Sequence, residues 1–211
     1  MRKDATFVGY DKYLLKMINQ KGLARVMDKI PTLFLRNPEN MRLVTHEVNP
    51  EATWVFDGNA VPTRKRDGTN IRVHILNGTC TLVEKRRNPT REEKATGAEP
   101  GYVDANRNDS SDKHIFAAVD ATNFHDWPDG AWPAEALGPK IQGGVESNIP
   151  ILYPFSWRPQ RLLDFPAMIT FESIRAYLAT HPIEGIVWHD RFHSRFAKIK
   201  RRDFGLPWPL K

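Results

Sequence analysis

The sequence predicts a fold that mixes α-helix and β-strand, on three observations. Asn77-Gly78 joins residues 71–76 to residues 79–83, two runs rich in β-branched side chains, and Asn-Gly in that setting is the strongest short hairpin signal. Residues 10–30 space Tyr13, Leu14, Met17, Ile18, Leu23 and Val26 at helical intervals, and Pro31 closes the pattern. Residues 170–178 form a second amphipathic pattern, with Thr170 as N-cap and Phe171, Ile174 and Leu178 on one face.

The 211 residues suffice for one domain with a real core, with residues 1–50 as a helical and strand lead-in. Hydrophobic residues at 40% and charged residues at 27% are ordinary for a soluble globular protein. No apolar run approaches the roughly 20 residues that span a bilayer. Met1-Arg2-Lys3-Asp4 opens no signal-peptide core, so the expected location is the cytoplasm, or the host cytoplasm if the chain is virus-encoded. The lone Cys80 rules out an internal disulfide framework and reads as an inert thiol in a strand. A net charge of +6 suits a polyanionic partner, and the excess is concentrated in Lys85-Arg86-Arg87 and in residues 198–202.

In chain order, Thr32-Leu33-Phe34-Leu35 and Thr53-Trp54-Val55-Phe56 read as strands. Residues 86–112 are polar and aperiodic and read as a long exposed loop. His114 to Val119 reads as a short helix, residues 127–133 as a rigid turn, and residues 149–155, interrupted by proline, as a short or edge strand. Residues 184–188 and 195–200 read as two further strands. Alternation in the last puts Phe196, Lys198 and Lys200 on one face and Ala197 and Ile199 on the other. Two ammoniums two residues apart on one face make a fork for a phosphate.

Candidate chemistry starts at Thr63-Arg64-Lys65-Arg66-Asp67-Gly68-Thr69-Asn70. Lys65 falls at the mouth of a strand beside an Asp-Gly turn, with Gly68 allowing backbone to approach a ligand closely. A lysine so placed is a nucleophile if its pKa is lowered, and Arg64 and Arg66 push that way while Asp67 opposes. The bland alternative is a charged turn ahead of a strand. His189 and His193 near Asp190 suggest a metal pair, but no third ligand stands out.

Taken in order, Lys65-x-Asp67-Gly68-Thr69-Asn70, Lys85-Arg86, Glu135-x-x-Gly138-Pro139-x-Ile141-Gln142, Tyr153-Pro154-Phe155, Glu184-Gly185-Ile186-Val187 and Lys198-Ile199-Lys200 resemble six motifs of the covalent nucleotidyltransferases. Within them the resemblance is to the bacteriophage RNA ligase 2-like and related RNA ligases, across residues 54–202. Here Phe155 is followed by Ser156, where the family continues Phe-Asp.

The resemblance implies an α+β adenylation domain, with two packed, mainly antiparallel sheets, flanking helices and the nucleotide between the sheets. It implies an ATP-dependent RNA ligase joining 5′-phosphate and 3′-hydroxyl ends. Lys65 would carry AMP, and Lys198 and Lys200 would neutralise the α-phosphate. Glu184 would hold magnesium, or manganese, largely through water, with Asp67 and Asn70 helping. Glu135 would bind the ribose, Phe155 would stack on adenine ahead of Tyr153, and backbone at Arg64 would read the adenine edge. Arg86 would touch the ribose or an RNA 5′-phosphate, with Arg87, Arg201 and Arg202 extending the RNA surface. The chain ends just past the last motif, so no C-terminal OB or helical domain is expected, and a partner protein could supply further RNA surface. The rival readings are a minimal DNA ligase, a GTP-dependent capping guanylyltransferase, and a nucleotide- or RNA-binding module without chemistry.

Overall fold

The computed structural model describes residues 30–97, 101–155, 160–191, 193 and 195–210. The helix expected over residues 10–30 lies outside them, Ile30 excepted. Among the described residues the fold is α+β, with three antiparallel sheets rather than the two expected. Strands β1 (Phe34–Asn37) and β2 (Asn40–Val48) form a hairpin. Strands β3 (Ala60–Lys65), β9 (Gly185–Asp190) and β10 (Phe196–Lys200) form a three-stranded sheet with β9 in the middle. Strands β4 (Thr69–Leu76), β5 (Thr79–Arg86), β6 (Tyr102–Asp104), β7 (Gly130–Leu137) and β8 (Ile151–Pro154) form a five-stranded sheet ordered β6-β5-β4-β7-β8. The helices are α1 (Arg91–Thr96), α2 (Lys113–Asp120) and α3 (Phe171–Thr180).

The β4–β5 hairpin closes as its sequence dictates. Leu76 pairs with Thr79, and Asn77 (φ 51°) and Gly78 (φ 69°) both take the left-handed backbone that a two-residue turn requires. Ile71 and Val73 are fully buried on the face covered by Ile115, Phe116 and Val119 of α2. Intervening residues Asn70 and Arg72 fall on the opposite face. A second core gathers Ile186, Trp188, Ala197 and Ile199 of the three-stranded sheet with Ile174 and Leu178 of α3. Thr170 caps α3, its side chain accepting from Ser173 N at 3.0 Å.

Three local expectations are corrected. Thr53–Phe56 is not a strand: residues Pro50–Phe56 form a 3-10 helix, because Asn49 caps Glu51 N at 3.0 Å and Pro50 sits where a missing N–H costs nothing. Residues 86–112 are not all loop. Thr90 and Glu93 close a capping box on α1, and β6 pairs Tyr102 with Arg86. The turn expected over residues 127–133 yields to β7 from Gly130 onward, the strand that also carries Glu135. Strand β2 was not foreseen: its residues mix polar and apolar without clean alternation. The short edge strand and the helix over His114–Val119 are where the sequence puts them, as β8 and α2.

Candidate active site

Register in the three-stranded sheet brings the candidate lysines together. Lys65 and Lys200 both pair with Gly185, and Thr63 and Lys198 both pair with Val187. Pairing and alternation put Lys65, Lys198 and Lys200 on one face, opposite fully buried Ala197 and Ile199. Glycine at 185 is a packing requirement, since a Cβ there would lie 2.1 Å from the Ile199 carbonyl oxygen. Gly68 has the same cause. Its added Cβ would meet Ala136 O at 2.4 Å, so the backbone approaches β7 closely there.

A cavity of about 260 Å³ lies between the three- and five-stranded sheets. From the first come Arg64, Lys65, Val187, His189, Phe196 and Lys198, and from the second Asn70, Arg86, Glu135 and Tyr153. Phe155, just past β8, also lines it. Asn70 pairs with Glu135, and Glu135 with Tyr153, so one row of the five-stranded sheet faces the lysines.

The Lys65 amine donates to Glu184 Oε2 and to Arg66 O, the latter at 3.2 Å. Glu135 Oε1 accepts from Gly68 N at 3.0 Å. Burial disfavours the Lys65 ammonium, but Glu184, Glu135 and Asp67 together outweigh it and hold its pKa above the ordinary lysine value. The lowering expected from Arg64 and Arg66 is thus reversed by Glu184, Glu135 and Asp67, and both guanidiniums are paired to the Glu146 carboxylate. Burial pushes Glu184 up, with the Lys65 ammonium pulling against it. Burial also pushes Glu135 up to about 7. Lys198 is lowered to about 8, by burial and then by Lys65, Lys200 and Arg86. The site therefore holds a protonated lysine among carboxylates, next to a lysine that gives up its proton readily.

Asp67 accepts from Trp208 Nε1 at 2.7 Å, and Asn70 Oδ1 accepts from the Tyr102 hydroxyl at 2.7 Å. Both candidate metal helpers are therefore already engaged. Among the described residues no group of three or more His, Cys, Asp or Glu is placed to hold a metal ion together. Buried Glu184, with Asp67 nearby in charge terms, fits magnesium held through water. Burial lowers His189 to about 4, so it faces the cavity uncharged at neutral pH.

The basic surface is smaller than the sequence suggests. Arg201 is 3% exposed and donates to the carbonyls of Leu178, His181 and Pro207. It is a core residue, not an RNA contact. Arg202 is exposed but bonded to Trp208 O at 2.7 Å. Arg87 pairs with Glu93, and Lys85 with buried Asp112 at 2.6 Å. Cys80 lies half-buried in β5, its thiol pushed up by burial, which fits an inert role. Sequence reasoning missed Glu146, Tyr102, Gln160 and Trp208. Each meets its partner across 32 to 141 residues of sequence, and no local signal announces such pairs.

No helix among the described residues is long and apolar enough to cross a membrane. A scan against protein-family models gives no match to the chain, and a comparison with curated proteins gives none.

Proposed function

We propose that the chain is an ATP-dependent RNA ligase working through an AMP-lysine on Lys65, on a nucleotidyltransferase-type fold. One observation carries the reading: Lys65, Lys198 and Lys200 share a face of one sheet, with the Lys65 amine on Glu184 at a cavity that Glu135 and Phe155 complete.

In the resting site Lys65 is protonated and inert as a nucleophile. Glu184 is its hydrogen-bond partner and is itself raised by burial, so it is suited to take the proton as the amine attacks. The freed amine would form a P–N bond to the α-phosphorus of ATP, and the P–O bond to pyrophosphate would break. Lys198 and Lys200 would stabilise charge gathering on the α-phosphate oxygens, a role that needs fixed cations more than covalent chemistry. Glu135, on the facing sheet, would accept from ribose hydroxyls, and Phe155 would supply the apolar wall for adenine. Magnesium, held through water by Glu184 and Asp67, would supply further neutralisation of the phosphate oxygens. AMP would then pass to an RNA 5′-phosphate, and a 3′-hydroxyl would displace it.

The test is sealing of a nicked RNA duplex with ATP and magnesium, beside the same nick in DNA and beside GTP. The reading expects sealing of RNA with ATP, lost in Lys65→Ala. Sealing of DNA alone would make the protein a DNA ligase. Labelling by GTP without sealing would make it a capping enzyme.

A further inference from the structure

Arg64 and Arg66 straddle Lys65 in the chain and line the same cavity. Their guanidiniums converge on one oxygen of one carboxylate. Arg64 Nη2 donates to Glu146 Oε2 at 3.0 Å, and Arg66 Nη1 donates to the same atom at 2.9 Å. The Glu146 side chain is 2% exposed. Among the described residues its other oxygen, Oε1, is buried without a partner, and so are Arg64 Nε and Arg66 Nε. Buried polar atoms are nearly always paired, so three bare ones in a single cluster mark a poor match between seat and occupant. Two cations also face one anion.

A guanidinium fork fits a carboxylate or a phosphate through two parallel N–H···O bonds. Glu146 gives both arginines a single oxygen and leaves both Nε–H groups idle. A terminal phosphate has three oxygens and up to two negative charges, enough to engage both forks. Arg66 is held independently of Glu146: its Nη2 donates to Gln160 Oε1 at 2.7 Å, and its guanidinium lies 4.8 Å from the centre of the Tyr153 ring. Glu146 follows Gln142, Gly143 and Gly144, three consecutive residues at positive φ.

We propose that Arg64 and Arg66 form a phosphate seat in which Glu146 is a resident stand-in, displaced when a phosphate of a nucleotide tail or of a polynucleotide 5′ end enters. This deepens the ligase reading by giving the site a built-in competitor. Anion binding needs no Lys65 chemistry, so it is measured in Lys65→Ala protein, where failure of nucleotidyl transfer cannot affect the outcome.

The experiment is titration calorimetry with inorganic pyrophosphate, and with 5′-phosphorylated against 5′-hydroxyl RNA of one sequence. Glu146→Gln empties the seat of its charge and should tighten the anion about tenfold, as expected when a self-occupied state is removed. Adding Arg66→Gln should cancel the gain. A gain for pyrophosphate alone assigns the seat to the nucleotide tail, and a gain for phosphorylated RNA assigns it to the strand end. Unchanged or weaker binding of both by folded Glu146→Gln overturns the proposal. If that variant does not fold, hydrogen exchange on the Lys65→Ala protein decides. Pyrophosphate should speed amide exchange over residues 142–147, and unchanged or slowed exchange there would overturn it.

Discussion

The Lys65 amine donates to the Glu184 carboxylate across the β3–β9 pair, where Lys65 stands opposite Gly185. Register sets Lys65 level with Gly185, the first residue of β9, and Glu184 lies just before that strand. The nucleophile candidate is thus held protonated by the group best placed to receive its proton. Under the proposed function, chemistry at Lys65 would need something that weakens the grip of Glu184, Glu135 and Asp67, and a cation bound at those carboxylates would do so.

Glu135 should give folding stability a distinct pH dependence. Its carboxyl lies near 7 in the folded protein against an ordinary 4.5, so the folded state holds its proton more tightly. The resulting stability is fully present below pH 4.5 and is lost as pH rises through about 7, about 3 kcal/mol in all. Urea unfolding of wild type and Glu135→Gln at pH 5 and pH 8 checks this. The variant should lose less stability over that range, and parallel pH profiles would contradict the assignment.

Lys198 should make nucleotide affinity fall above pH 8. Its pKa is lowered to about 8 in the free protein, and a phosphate would bind best to the ammonium. Each further pH unit should then cost at most about tenfold in ATP affinity. Calorimetry at pH 7 and pH 9 measures it, with Lys198→Met as the variant that flattens the dependence.

Gly185→Ala should unsettle the sheet that positions all three lysines. Its Cβ would fall 2.1 Å from Ile199 O, a backbone atom that cannot step aside cheaply. A loss of ~3 kcal/mol or more is expected, at the upper end of overpacking costs. Gly101→Ala, with nothing within 4 Å of its added Cβ, is the control and should melt near wild type. Equal melting temperatures for the two variants would refute the packing argument.

Arg201→Ala should destabilise the fold by ~3 kcal/mol, since it strips charge-assisted hydrogen bonds from three carbonyls, that of Leu178 buried. Arg202→Ala should change stability little. Denaturant unfolding of the two separates a core arginine from a surface one, and equal losses would put Arg201 outside the core.

Much of the fold was legible where the cause is local. The Asn77-Gly78 turn, the Thr170 cap and the alternation of Phe196, Lys198 and Lys200 are each written within a few residues. The same local logic failed at Thr53–Phe56, where an apolar run looked like a strand and the Asn49-Pro50 start decided for a 3-10 helix. It failed at β7 because Pro133 and Gly130 disguise a strand held by neighbours on both sides. At the site, the residue types were readable but their electrostatics were not. Arg64 and Arg66 look like free cations beside Lys65 until Glu146, some 80 residues on, is seen between them.

The central claim is a covalent bond between the Lys65 amine and AMP. The direct measurement is incubation with α-labelled ATP and magnesium, followed by denaturing electrophoresis and intact mass, on protein first freed of carried-over AMP. The account predicts an acid-labile label and a mass gain of one AMP, both absent in folded Lys65→Ala. Folded wild-type protein that takes no label from ATP, or a label that survives in Lys65→Ala, would contradict it.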